Sequence, residues 1–218
     1  VASRTSPRIL GLYSVMMNFG IISFAVVATA TAAPGFCHGI DCPVFKPGTP
    51  VKGNETTLEM RMYPQAKWAS TKVKSNSEDE AISTGFMRLF NYIGGQNKKS
   101  QKIDMTAPVM CRVLDVGQGP FCNTTFVISF FVPFEHQEDA PEPSDKNVYL
   151  DVVPSRKVAV IAGSGYWKQD DVLQHVRMAG DVLQENKISF NTSTYTFAGY
   201  DPPFRPFGRH NEVWLDIL

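Results

Sequence analysis

The chain has 218 residues, enough for one domain with a sizeable core and too few for two large ones. Its 21 Lys and Arg balance 21 Asp and Glu, so no net field draws it to nucleic acid or to an anionic membrane. From Ile9 to Cys37 there is no charged residue; Arg4 and Arg8 stand before this run, and small residues end it ahead of Pro34. That order predicts a signal peptide over residues 1–33, cut near 30–33. A retained anchor, or a start at Met16 or Met17, is the other reading.

Residues 34–55 are rich in proline and glycine and suit a looped lead-in. Three sequons, at Asn54, Asn123 and Asn191, agree with export and mark expected glycosylation sites on loops. The four cysteines fall into two close pairs, Cys37 with Cys42 and Cys111 with Cys122, and an oxidising compartment would join each pair as a disulfide. Neither pair has the spacing of a zinc site.

The folded domain is expected over residues 56–218. "TLEMRMYP" alternates as a strand and "AKWASTKV" as a second, with a hairpin through Pro64 and Gln65. Ser77 and Glu80 form the S-x-x-E pattern of a helix start, and Ile82, Phe86, Leu89, Phe90 and Ile93 then recur at helical steps until Gly94. Composition alone favours Phe86 and Phe90 as plain core. Residues 102–114 place Ile103, Met105, Ala107, Val109, Cys111 and Val113 on one face of a long strand, which Pro108 should confine to an edge or bulge. "TFVISFFVP" returns the chain, setting Cys122 across from Cys111. After a polar loop come strands "VYLDVVP" and "KVAVIAGSG", a helix over about 170–187 with Val172, Leu173, Val176, Ala179 and Leu183 inward, and strands "TYTFAGY" and "EVWLDIL". Each half reads strand, strand, helix, strand, strand, a duplicated α+β order.

Catalytic patterns are scarce. The glycine turn at 163–165 lacks the nucleophile-elbow form, the four histidines have no metal-ligand spacing, and "IGGQN" follows a helix where a phosphate loop precedes one.

Five ordered blocks carry a resemblance: "YPQAKWAST", "GFMRLFNYIGGQN", "KIDMTAPV", "PSDKNVYL" and "AGYDPPFRPFGRHNEVWL". Through them the chain resembles the SOUL heme-binding protein family from about residue 58 to the end. The resemblance implies a distorted β-barrel of two pseudo-repeated halves with two helices packed outside. It also implies heme or another tetrapyrrole as ligand, in a shallow apolar groove beside the first helix, with no enzymatic activity. Phe86, Leu89, Phe90, Ile93, Met105 and Phe204 would then touch the macrocycle, and Arg88 and Arg205 would meet its propionates. Ser83 and Asn91 stand where relatives carry basic groups. Met62 holds the place of a proposed axial ligand, with plain core as its other reading. The leader and sequons suggest a secreted member. Two further readings stay open: an interaction protein that kept the fold and lost the ligand, and a hydrolase-like site, which would need Glu59 or Tyr92 in the groove.

Overall fold

A computed structural model describes residues 34–114 and 124–218; the expected leader, Cys122 and Asn123 lie outside the described residues. Among the described residues ten strands make one antiparallel sheet, and two α-helices accompany it. In chain order these are β1 (Lys46–Pro47), β2 (Val51–Lys52), β3 (Thr57–Tyr63), β4 (Ala66–Ser75), α1 (Glu78–Ile93), β5 (Val109–Leu114), β6 (Thr124–Phe131), β7 (Val148–Val153), β8 (Arg156–Gly163), α2 (Gln169–Glu185), β9 (Tyr195–Gly199) and β10 (Asn211–Asp216).

The sheet runs β1-β3-β8-β10-β9-β5-β6-β4-β7, with β2 beside β3. Exchanging β3–β6 for β7–β10 turns the eight-strand path from β3 to β7 into its own reverse. The duplicated element order is therefore a spatial pseudo-two-fold passing between β5 and β9. The outer strands β1 and β7 do not pair with each other, so the distorted barrel stays open along that seam. The lead-in joins the fold through β1 and β2, both laid against β3.

Two expectations about strand pairing fail. The hairpin through Pro64 and Gln65 does not form, because β3 pairs with β8 while β4 pairs with β6 and β7. Both strands bury side chains on both faces of the sheet, and alternation cannot say which partner supplies the ladder. The long strand over 102–114 shortens to β5, which is central, between β6 and β9. Pro108 sits just before the ladder, where its missing N–H costs nothing, and Ala107 has turned to the face opposite Cys111.

Side chains bury on both faces of the sheet. One face meets both helices in a continuous cluster that includes Leu58, Met60, Leu89, Ile128, Phe130, Ala179 and Leu183. The other face curls around Tyr63, Trp68, Phe131, Val160 and Trp214, and the lead-in covers it with Phe36 and Phe45. The Cys37–Cys42 disulfide closes a short loop in this lead-in. Cys111 is a buried thiol with Ile128 opposite it in the β5–β6 register, and its expected partner Cys122 lies outside the described residues.

Candidate ligand-binding groove

Helix α1 begins where Ser77 Oγ accepts the Glu80 backbone N–H at 3.3 Å. Glu80 does not complete the reciprocal box; its carboxylate accepts the Ser75 hydroxyl at 2.7 Å instead. The helix buries Glu78, Ala81, Gly85, Leu89 and Tyr92, spaced three and four residues apart, onto β4 and β6. Glycine at 85 is what permits the close seat, since a Cβ there would lie 2.7 Å from Ile128 Cγ1. A second row, Ile82, Phe86 and Phe90 with Ser83 and Met87 beside it, lies off the buried stripe.

That second row walls a groove of about 780 Å³. Its floor is the central strand pair, with Val109 and Cys111 from β5 and Phe197 and Gly199 from β9. The far wall is the proline-rich loop after β9, from Tyr200 to Phe204, with Arg209 and Asn211 behind it. Ile40, carried by the disulfide loop, and Met105–Ala107 close one end. The groove therefore lies over the pseudo-two-fold, on the α1 side. On the α2 side Trp167 stacks on His175 with ring centroids 3.9 Å apart and packs directly over Gly163. One bulky indole makes the two halves unequal.

The groove is aromatic and open. Phe86 stacks on Phe90 at 5.7 Å and meets Phe130 edge-on at 5.3 Å. Phe90 is 49 % exposed and Phe204 84 %, values far from those of core residues. Flat apolar faces presented to water around a cavity are what a planar hydrophobic ligand requires.

Of the residues expected at the site, Phe86, Phe90, Met105 and Phe204 line the groove. Leu89 and Ile93 are instead core, turned onto the sheet by the buried stripe. Arg88 points toward β4, donating to Thr71 Oγ1 and to the Lys72 carbonyl, each at 3.2 Å. Arg205 is outside the lining and is held by Asp201 at 3.2 Å and by the Phe207 carbonyl at 3.1 Å. Met62 is neither groove nor core: it is 43 % exposed on β3, beyond the end of the helix-covered row. Asn54 is exposed, and Asn191 is partly buried with its carbonyl oxygen accepting from Ser193.

Ile82, Met87, Phe197, Tyr200 and Arg209 were not anticipated. Ile82 and Met87 had a signal, since the apolar stripe of α1 is wider than a helix on one sheet needs. Phe197 had none, because only the β5–β9 register sets it beside Cys111.

Two buried carboxylates frame the site. Glu78, at the first position of α1, is 3 % exposed and neither of its oxygens has a hydrogen-bond partner. Burial, with Asp79 beside it, pushes its carboxyl up to about 7. Burial likewise raises the Cys111 thiol, and the Glu78 charge adds to that rise. Glu212, on the opposite face, is fully buried and receives Arg61 twice, at 2.9 and 3.0 Å, Tyr200 at 2.9 Å and the Trp214 indole at 2.6 Å, with His210 also 2.6 Å away. Burial alone would raise Glu212; the His210 hydrogen bond and the Arg61 charge outweigh it, so the carboxyl lies below its ordinary value. Glu59 belongs to this network through Arg61, and Tyr92 donates to the Pro141 carbonyl at 2.8 Å, so neither reaches the groove. The buried carboxylate–tyrosine pair that the fold does make, Glu212 with Tyr200, is saturated by its donors and is not poised as a base.

The SOUL heme-binding protein model matches residues 40–216, which is most of the chain. The chain belongs to the SOUL heme-binding protein family. It is 36 % identical over 178 residues to heme-binding protein 2 of Homo sapiens, covering 82 % of this chain and 86 % of that one. Against heme-binding protein 1 of Xenopus laevis it is 34 % identical over 162 residues, covering 72 % of this chain and 82 % of the relative. Among solved structures, the C-terminal domain of EcmrR superposes with a TM-score of 0.52 at 10 % identity, covering 80 % of this chain and 98 % of that one, a likeness of fold alone. The α+β arrangement that the resemblance implied, with two helices and a large antiparallel sheet, is the one found in this chain.

Proposed function

We propose that the protein is a secreted, non-enzymatic carrier of heme or another tetrapyrrole, bound in the groove between α1 and the loop after β9. The observation that carries this reading is the groove itself, of about 780 Å³, with phenylalanines on opposite sides and a floor of central strands. Its volume falls within the range of about 300–1,000 Å³ that is usual for small-molecule sites. Relatives in two subfamilies are named for heme binding. Export is supported by the apolar leader pattern, the sequons, one of them at exposed Asn54, and the Cys37–Cys42 disulfide.

Binding rests on the macrocycle more than on the iron. Among the described residues no histidine lines the groove; the sulfur groups there are Met87, Met105 and the Cys111 thiol, which burial keeps protonated. The test is an absorbance titration of the glycosylated, disulfide-intact protein with hemin and with iron-free protoporphyrin. Saturable one-to-one binding of both, weakened by Phe90→Ala and by Phe204→Ala, is the expected result. Saturation by neither would leave a scaffold that has kept the fold without the ligand.

A further inference from the structure

We infer that the loop after β9, over residues 201–209, docks the protein on a phospholipid surface by inserting Phe204 and Phe207. The docking stands without the tetrapyrrole reading and adds to it: Phe204 is also a groove wall, so an apolar ligand passes between bilayer and groove beside it. Phe204 and Phe207 are each 84 % exposed, more than any other large apolar side chain among the described residues. Phe207 is not part of the groove lining, so a ligand in the groove leaves it in water. Tyr166, also exposed, stands against the same loop, its hydroxyl donating to the carbonyls of Pro203 at 2.9 Å and Arg205 at 3.0 Å. The Arg209 guanidinium lies 4.3 Å over the Tyr166 ring. Bare phenylalanines beside a tyrosine and arginines suit the boundary between lipid tails and headgroups.

The backbone of the loop points to lipid rather than to a protein partner. A segment that enters a membrane has to satisfy its polar backbone without water. Pro202, Pro203 and Pro206 have no N–H to satisfy, and the Arg205 N–H bonds the Pro202 carbonyl at 3.1 Å. Arg209 donates to the carbonyls of Asp201, Pro202 and Arg205, and Arg205 Nε to that of Phe207 at 3.1 Å. Charge agrees. The loop's one acid, Asp201, has its side chain fully buried and paired with Arg205 and His38, whereas Arg209 meets no carboxylate among the described residues. From Pro202 to Asn211 the chain carries no acid. The positive charge left at the loop complements lipid phosphates, a local attraction in a chain whose net charge is zero.

The experiment sediments the intact protein with sucrose-loaded vesicles of phosphatidylcholine and phosphatidylglycerol, alongside Phe207→Ala and, as a control on the outer strand β7, exposed Val152→Ala. Phe207→Ala should lower partitioning about tenfold, the scale of one phenylalanine leaving water. Its thermal unfolding and its protoporphyrin titration in vesicle-free solution should stay as they are in the wild type, and Val152→Ala should change nothing. Phe207→Trp should add fluorescence that brominated lipid quenches. Absence of vesicle binding, binding that Phe207→Ala leaves intact, or binding abolished by moderate salt, the mark of adsorption through the arginines alone, would overturn the inference. So would self-association without lipid that Phe207→Ala abolishes, since a second copy would then cover the loop. Vesicle binding without saturable protoporphyrin binding would strike the carrier reading and leave the docking standing.

Discussion

The two faces of the sheet solve the same problem, burying a carboxylate beside a large apolar surface, in opposite ways. On the face covered by the lead-in, Glu212 is surrounded by Arg61, Tyr200, Trp214 and His210, and Phe45 lies 4.3 Å from the Arg61 guanidinium. On the helix face Glu78 is buried without a partner, and the central strands are left uncovered between the helices to form the groove. The sealed face is built to hold the sheet together. The helix face gives up polar satisfaction and closure, and it is there that a ligand can enter; local rules broken in one place usually mark such a site.

The contrast can be broken most sharply at Arg61. Arg61→Met leaves Glu212 buried without its cation and should cost about 3–5 kcal/mol in denaturant unfolding; a loss below 1 kcal/mol would mean the sealed face does not carry the stability assigned to it. Next comes Glu78. Its carboxyl is raised from an ordinary 4.5 to about 7, so the stability linked to its protonated form is complete below about pH 4.5 and is lost as pH rises through 7. Glu78→Gln should remove that loss, worth about 3 kcal/mol at alkaline pH. Unfolding curves at pH 5 and pH 8 check it: the variant should gain on the wild type only at the higher pH. Glu212 runs the other way, its lowered carboxyl adding stability that disappears as pH falls through its folded value.

Smaller effects sharpen the picture. Replacing Cys37 and Cys42 together by serine opens a short loop and should cost about 2 kcal/mol on a chain-entropy estimate, while also loosening Ile40 at the end of the groove. Thermal unfolding with and without reductant would measure it, and only the wild type should respond to reductant. Smallest in stability, Phe90→Ala should change unfolding by less than about 0.5 kcal/mol, as an exposed substitution does. It should still weaken tetrapyrrole binding several-fold; a large stability loss would place Phe90 in the core.

Much of this molecule was legible in order along the chain. The helix start at Ser77, the two amphipathic helices and the Cys37–Cys42 spacing each depend on residues within a few positions and appear as read, whereas the alternation over 102–114 holds only from Val109 onward. The greasy stripe of α1 was also read, but as one surface. The structure divides it into Leu89 and Ile93 beneath and Phe86 and Phe90 beside, a division set by how Gly85 lets the helix settle on Ile128.

By itself, then, the sequence determined which elements form, which faces are apolar and which family the blocks resemble, because propensity, period and spacing are local properties. The tertiary structure alone decided strand partners and register, hence the exchange of β3 and β7 between halves, the salt bridge from Arg61 to Glu212 across 151 positions of sequence, and the placement of Phe197 beside Cys111. Those outcomes depend on which of several equally apolar edges meet in space, and a period-two pattern is the same whichever edge is chosen.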